Sequence, residues 1–261
     1  MLVLAGAQYM GAKACFIIAA LILVGHNLLD PYWPVGNIMG GNDPFWLGLH
    51  AQGSMVLGPF YLIFVYPLLP WIGLMLLGYG TAFIFQKAPE SRDPFLVKTG
   101  LAFIAAFIAL RALGIYGDPN SWEIQSGGGI ATFFDFMNVS KYPPSLLFLL
   151  ATLGPMAIVC AYADKLQGWF KDTLVMFGRV PFAFYVAHFY LIHVLSIFFG
   201  MTQGFESGQF LHSFIFYPQG YGTGLIGVYI TWITVLIILY PFCRWMANVK
   251  RKRKDWWLSY L

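Results

Sequence analysis

The chain has 261 residues, of which 59% are hydrophobic, 19% are aromatic and only 10% are charged. Soluble domains carry about 25% charged residues, so this composition excludes a water-soluble surface over most of the molecule. The net charge of +4 does not indicate a nucleic-acid partner, because the five consecutive cations Lys250 to Lys254 directly follow an apolar segment. Such a cluster is typical of a membrane anchor that faces anionic lipid.

The apolar stretches predict an all-α, polytopic membrane helix bundle that forms a single transmembrane domain over residues 1–261. A membrane-crossing helix needs about 20 predominantly apolar residues, and six stretches meet this requirement. Pro67 and Pro70 fall inside the second stretch and predict a kink there, while residues 45–59 are expected to lie along the interface. Residues 250–261 are expected to form a basic cytoplasmic tail. The six spans lie near residues 10–29, 61–85, 95–116, 143–162, 181–200 and 222–243.

The cations are divided unevenly between the two sides of these spans. One side receives only Lys141 and, at a helix end, Arg111. By the positive-inside rule the richer side faces the cytoplasm, so both termini are predicted to be cytoplasmic. The richer side carries Lys13, Lys87, Arg92, Lys98, Lys165, Lys171, Arg179, Arg244 and the terminal cluster.

Polar residues at membrane depth are functional candidates, because an ionised group there is costly unless it is paired. Arg111 lies in the third span, and two interpretations stay open for it. In the first, its side chain reaches the lipid headgroups or pairs with Asp118, which lies seven residues later on the same helix face. In the second, it lines a polar cavity. His26 closes the first span, next to Asn27 and Asp30, and is the candidate base.

The segment from Asp135 to Ser145 places several polar groups beside a predicted helix start, among them Asn138 and Lys141. Helix N-termini attract anions, so these two residues are candidate binding residues. The alternative is ordinary capping, with Lys141 balancing the charge of Asp135.

The remaining histidines give weaker signals. His188 is either a hydrogen-bonded core histidine or a pocket residue, and its spacing to His193 is i, i+5, which does not suit a two-histidine metal site. His50 and His212 are expected in solvated loops. The three cysteines have no CxxC spacing and indicate neither a disulfide framework nor a zinc site. The sequence therefore predicts no metal cofactor.

Four ordered strings resemble the bacterial branch of the heparan-alpha-glucosaminide N-acetyltransferase-like membrane family, and the resemblance covers nearly the whole chain, from His26 to about His193. The characterised animal members move acetyl from cytosolic acetyl-CoA across the membrane to a terminal glucosamine amine, and a histidine in an early luminal loop is implicated. The strings are Tyr66-Pro-Leu-Leu-Pro-Trp-Ile-Gly73 with Gly78-Tyr79, Arg111-Ala-Leu-Gly-Ile-Tyr-Gly-Asp-Pro119 with Trp122, Asn138-Val-Ser-Lys-Tyr-Pro-Pro-Ser-Leu146, and Phe177-Gly-Arg-Val-Pro181 with His188 and His193.

Family members typically begin with further spans, including an arginine-led first helix and an Asp-His pair, ahead of the part that matches His26. The resemblance therefore implies that this chain corresponds to the later two-thirds of a family member. If the catalytic histidine of the family lies in the earlier part, no residue of this sequence inherits its role. An oligomer, or a partner that supplies the missing N-terminal segment, is one expectation that follows.

The resemblance implies a multi-pass acyltransferase of the bacterial inner membrane, with acetyl-CoA as the donor and a sugar-like or envelope molecule as the acceptor. The alternative is a non-enzymatic membrane protein, either a transporter or a partner-dependent subunit, including an inactive fragment. Beyond these substrates, the partner expected from composition is the lipid bilayer. The candidate residues are His26 as the base and Arg111, Asp118, Asn138, Lys141 and His188 for binding.

Overall fold

A computed structural model describes residues 2–31, 44–211, 217–253, 255, 256 and 258. Six of its helices are long and apolar enough to cross a membrane, which confirms the predicted all-α polytopic bundle. The chain divides into two compact units, residues 1–165 and residues 166–261. The first unit holds four of the six spans and the second holds two.

The first unit is built mainly from antiparallel helices. Short 3₁₀ segments extend four of them, at Gln8–Met10, His26–Leu29, Ala82–Gln86 and Ala163–Lys165. A two-stranded antiparallel hairpin, β1 Gly53–Leu57 and β2 Phe60–Phe64, precedes the second span. The helices are α1 Leu2–Ala7, α2 Ala12–Gly25, α3 Pro44–Leu49, α4 Leu68–Thr81, α5 Pro89–Leu113, α6 Gly129–Met137 and α7 Leu146–Tyr162.

The second span begins at Leu68, whereas the sequence predicts a start near residue 61. The apolar run before it forms β2, and Pro67 has an extended ψ of 133° that separates strand from helix. Pro70 lies in the first turn of α4, where a missing N–H leaves no intrahelical bond broken. Neither proline therefore interrupts the helix, and the predicted kink is wrong for this reason.

Glycines bring the helices of the first unit into close contact. Gly80 of α4 faces the backbone of Phe16 in α2, and Gly73 faces Leu23, which sets the antiparallel register of these two helices. Gly100 of α5 lies against the carbonyl oxygen of Gly154 in α7. Small residues allow such close approach between membrane helices, so α2 packs closely on α4 and α5 packs closely on α7.

Gly100→Ala is expected to destabilise the protein, although alanine is the better helix former. A Cβ at Gly100 would lie 2.6 Å from the Gly154 carbonyl oxygen, so α5 and α7 must move apart, at a cost of about 1–3 kcal/mol for overpacking. The matched control is Gly78→Ala, because a Cβ there meets no atom of the described residues within 4 Å. Thermal unfolding in detergent should separate the two variants. Equal unfolding temperatures would contradict the close contact.

The second unit contains α8 Gly168–Arg179, α9 Pro181–Thr202, the single turn α10 Gly208–Leu211 and α11 Leu225–Lys252. Its core forms where α9 packs on α11, around Val180, Ala183, Val235 and Leu239. Lys250 donates from Nζ to the carbonyl oxygen of Arg179 at 2.8 Å, which satisfies a carbonyl at the end of α8. The first cations of the predicted tail, Lys250–Lys252, belong to α11.

Candidate functional site

His26 lies where α2 continues into a 3₁₀ turn, and its side chain is buried. Only 2% of the residue is exposed, yet neither ring nitrogen has a hydrogen-bond partner among the described residues. A buried polar group left unpaired costs about 1–3 kcal/mol, so most buried groups find a partner. The predicted base is therefore a buried imidazole, and the lack of a described partner for its two nitrogens needs an explanation.

His50 is fully buried, so the expectation that it is solvated is wrong. It follows α3, where its backbone N–H donates to the carbonyl oxygen of Trp46 at 2.8 Å, so the chain turns there with the ring inward. Its Nε2 lies 2.9 Å from Oδ1 of Asp30. A carboxylate only accepts hydrogen bonds, which assigns the proton to Nε2 and leaves the lone pair of the neutral ring on Nδ1. That Nδ1 has no partner in the part of the chain that the structure describes.

The two imidazoles share one buried site. Their ring centroids are 5.8 Å apart and the ring planes meet at 65°. Asp30 accepts on its other oxygen from Nδ2 of Asn27 at 2.8 Å. We name His26, Asn27, Asp30 and His50 the histidine cluster. In this cluster the Asp30 carboxylate orients His50, and His26 lies beside it with no described partner for either nitrogen. Such an arrangement is suited to proton transfer.

Tyr116 adds a phenol to the same region. Its hydroxyl donates to the carbonyl oxygen of Val24, just before the histidine cluster. Burial raises the pKa of the Tyr116 phenol, and the negative charge of Asp30 raises it further. The hydrogen bond places the loop after α5 beside the last turn of α2, next to the histidine cluster.

The histidine cluster is tied to the start of α7. Oδ1 of Asn27 accepts from the backbone N–H of Leu146 at 2.9 Å, and Oγ of Ser145 accepts from the N–H of Phe148 at 3.0 Å. These two side chains satisfy donors at the helix N-terminus, which is the capping arrangement described for such ends. The end of α7 that the sequence marked as a possible anion site is thus capped from within the chain.

Asp118 organises the same turn. Its Oδ2 accepts from Oγ of Ser145 and from the N–H of Ser140, both at 2.7 Å, and its Oδ1 accepts from the N–H of Asn120 at 2.9 Å. It forms no ion pair with Arg111 among the described residues. The structure therefore places Asp118 as a support beneath the start of α7.

Arg111 is buried, with 2% of the residue exposed, and it binds backbone. Its Nε donates to the carbonyl oxygen of Phe136 at 2.9 Å, and one terminal nitrogen donates to that of Asn120 at 2.6 Å. The other terminal nitrogen donates to Asp135 at 3.1 Å and to Asn138 at 2.9 Å. Four of the five N–H groups of the guanidinium are thereby used, three on backbone carbonyl oxygens at the C-terminal end of α6 and one on that of Asn120.

Asn138 and Lys141 lie at the surface of the first unit. Lys141 Nζ sits 5.1 Å from the centre of the Tyr142 ring. The hydroxyl of Tyr66 lowers the pKa of the Tyr142 phenol, with Lys141 contributing in the same direction. The carboxylate of Asp135 accepts instead from the N–H of Glu123 at 2.7 Å, and among the described residues it forms no ion pair with Lys141.

His188 belongs to the second unit, where its Nδ1 lies 3.2 Å from the carbonyl oxygen of Phe184. Its ring stacks on the Phe184 ring at 5.3 Å, with an angle of 2° between the planes. His188 is thus hydrogen-bonded within its own helix, and it is half-buried. His212 lies outside the described residues, and His193 is buried.

No family model, no curated protein and no solved structure matches the chain. The resemblance to the acetyltransferase-like family thus rests on its four motifs. Within the described residues, no group of three or more His, Cys, Asp or Glu side chains is placed to hold a metal ion.

The site that emerges differs in its members from the one that the sequence suggested. His26 is retained, while His50, Asn27 and Asp30 become its neighbours. The signal that could have found His50 is its position: it is a histidine within a long stretch free of Asp, Glu, Lys and Arg, beside a membrane span. A polar group in such a stretch is a functional candidate on the same ground as Arg111.

Proposed function

We propose that this chain is a membrane-embedded acyltransferase that moves an acyl group, acetyl from acetyl-CoA, onto an amine or hydroxyl of an extracytoplasmic sugar or envelope acceptor. The observation that carries the proposal is the histidine cluster, with His50 oriented by Asp30 and His26 beside it. Both rings are buried and together present three nitrogens without a partner among the described residues. The four motifs are the second, independent support.

The reaction requires a base and a donor for negative charge. The acceptor nitrogen or oxygen attacks the thioester carbonyl, its proton passes to the base, and a tetrahedral oxyanion forms. Collapse of this intermediate breaks the C–S bond, and the proton returns to the departing thiolate. Nδ1 of His50 is the base assigned here, because Asp30 fixes the ring through Nε2 in the way that a carboxylate orients the histidine of a catalytic triad.

The oxyanion donor is assigned to Trp71. Its indole N–H is buried and has no partner among the residues described. The register of α2 against α4, with Gly80 at Phe16 and Gly73 at Leu23, puts the start of α4 at the level of His26. An N–H held in a site without water is worth more to a developing oxyanion than one in solution.

Placement in the membrane follows from the cation count. The histidine cluster lies at the end of the first span that the positive-inside rule assigns to the outside. Cytosolic acetyl-CoA and an outer acceptor would then meet across the bundle, as the resemblance implies. The localisation proposed is a bacterial inner membrane with both termini in the cytoplasm.

The proposal is tested with the purified chain in vesicles that carry acetyl-CoA labelled on the acetyl group, with glucosamine as the acceptor. Acyl transfer predicts label in N-acetylglucosamine that accumulates with time and depends on the protein. A transporter instead predicts flux of glucosamine without label in the sugar. Folded protein that transfers no label, either to glucosamine or to extracted envelope glycans, would overturn the proposal.

A further inference from the structure

An apolar groove runs along the first unit, and its mouth lies at the end opposite the histidine cluster. Its volume is about 860 Å³, and α2, α4, α5 and α7 all contribute to its walls. A second groove of about 420 Å³ shares Phe16 and Ile17 with the first and continues along α2 to Gly25. The two together form one track on the outside of the bundle, where Ile17 is 58% exposed and Phe16 is 45% exposed.

Two lysines stand at the beginning of this track. Lys13 lines the larger groove itself. The Nζ atom of Lys87 lies 5.4 Å from the ring centre of Phe83 and 5.9 Å from that of Phe95, and both rings line the groove. Extending the register of α2 against α4 brings Lys13 level with Phe83. The mouth of an apolar track thus carries two positive charges.

Asp93 and Asp164 are paired with an arginine and not with either of these lysines. Arg92 binds Asp164 at 2.6 Å and Asp93 at 2.9 Å. Among the described residues, neither Lys13 nor Lys87 forms an ion pair. The positive charge at the mouth is therefore available to an anion that lies at the membrane surface.

We infer that this track holds one acyl chain of an anionic phospholipid, whose phosphate binds between Lys13 and Lys87. The lipid belongs to the leaflet that the cation count predicts to be cytoplasmic. From Lys13 to Gly25 the helix rises about 18 Å at 1.5 Å per residue, and one leaflet provides about half of a 30 Å hydrocarbon core. The track is thus long enough for the acyl chain of a lipid in one leaflet.

The inference is independent of the proposed acyl transfer, since it rests on the walls and the charges of the groove alone. Anionic lipid attracts basic residues near the membrane surface, while a neutral headgroup offers Lys13 and Lys87 no net charge. The two lysines therefore favour the anionic headgroup of a phospholipid, and the apolar walls favour its acyl chain.

The test measures which lipid stays bound to the purified chain. The protein is equilibrated with mixed micelles that hold equal amounts of phosphatidylglycerol and phosphatidylcholine, and native mass spectrometry counts the retained molecules. The expected result is one retained phosphatidylglycerol. Lys13→Gln and Lys87→Gln are each expected to reduce its preference by about fivefold, as expected for one basic residue at the surface. The control is Lys165→Gln, because Lys165 also lies over an aromatic ring, that of Tyr162, but this ring does not line the groove.

A second pair of variants tests the apolar wall. Ala157→Phe fills the larger groove and should abolish retention of both lipids, whereas Val159→Phe, on the exposed face of α7, should not. Retention without headgroup preference in the wild type would overturn the inference, as would an equal loss in Lys165→Gln. Displacement of phosphatidylglycerol by an equal concentration of palmitoyl-CoA would overturn it in favour of a thioester as the occupant. Thermal unfolding confirms that each variant is folded.

Discussion

Replacing His50 by alanine is expected to lower the rate of acyl transfer by about 10²–10⁴-fold, the range that removal of a general base produces. The expectation follows from the contact between Nε2 and Asp30 at 2.9 Å, which leaves Nδ1 as the basic nitrogen of a fixed ring. Labelled acetyl transferred to glucosamine per folded molecule is the quantity to measure. Binding of acetyl-CoA should change little, because the base acts on the acceptor.

Variants of Asp30 and His26, the neighbours of His50, distinguish a catalytic role of the histidine cluster from a structural one. Asp30→Asn keeps the size of the side chain but removes the charge that orients His50, so transfer should fall while the pH dependence of the rate shifts. His26→Ala should lower transfer if its ring relays the proton from Nδ1 of His50. Added imidazole should restore part of the activity of His50→Ala, an effect that loss of folding alone would not show.

The matched control is His188→Ala in the second unit. His188 hydrogen-bonds to the backbone of its own helix and stacks on Phe184, so its loss should leave the rate per folded molecule unchanged. An unchanged rate in His50→Ala would remove the histidine cluster from the mechanism. A rate that depends on His188 instead would place the chemistry in the second unit.

The spans could be predicted from the sequence because the bilayer demands long apolar helices. The hairpin could not, since β2 reads Phe-Tyr-Leu-Ile-Phe and runs on into the apolar α4. A short apolar run does not distinguish strand from helix by its pattern. Val65, Tyr66 and Pro67 separate the two elements, and the proline accepts both an extended backbone and a place next to a helix start.

The candidate site was predicted in part, for a physical reason. His26, Asn27 and Asp30 are neighbours in the sequence, so their proximity was visible. His50 reaches Asp30 from 20 residues away, and its approach depends on α3 and on the turn that follows it. The hydrogen bonds of Arg111 could not be predicted either. Its acceptors are backbone carbonyl oxygens, and their positions depend on the fold and not on the identity of the residues.

Replacing Arg111 by alanine is expected to lower the free energy of unfolding by about 3 kcal/mol or more, since hydrogen bonds to a charged group contribute about 1.5–3 kcal/mol each and do not add fully. Four such bonds hold the C-terminal carbonyls of α6 and the loop at Asn120. For a protein of this size the unfolding temperature should fall by roughly 6–12 °C. Differential scanning fluorimetry in detergent measures this change.

Arg111→Lys tests whether the planar arrangement of the guanidinium N–H groups is needed. A lysine keeps the charge but presents a single nitrogen, which cannot reach the carbonyl oxygens of both Asn120 and Phe136. It should recover less than half of the lost stability. The control is Arg179→Ala, an exposed arginine in the last turn of α8, which should change stability by no more than about 0.5 kcal/mol.

The same variants decide between a support and an anion-binding residue. If Arg111 only supports the fold, the Arg111→Ala variant should be less stable. Its KM for acetyl-CoA, measured per folded molecule at low temperature, should stay unchanged. An anion-binding residue predicts the reverse, with KM raised by about tenfold, as for one lost charged contact, and little change in unfolding temperature. Since four of the five guanidinium N–H groups already bind the chain, the stability loss is expected to dominate. The charge of Arg111 thus serves to hold α6 and its flanking loop in the first unit, where Asp118 and Ser145 position the start of α7 against Asn27 of the histidine cluster.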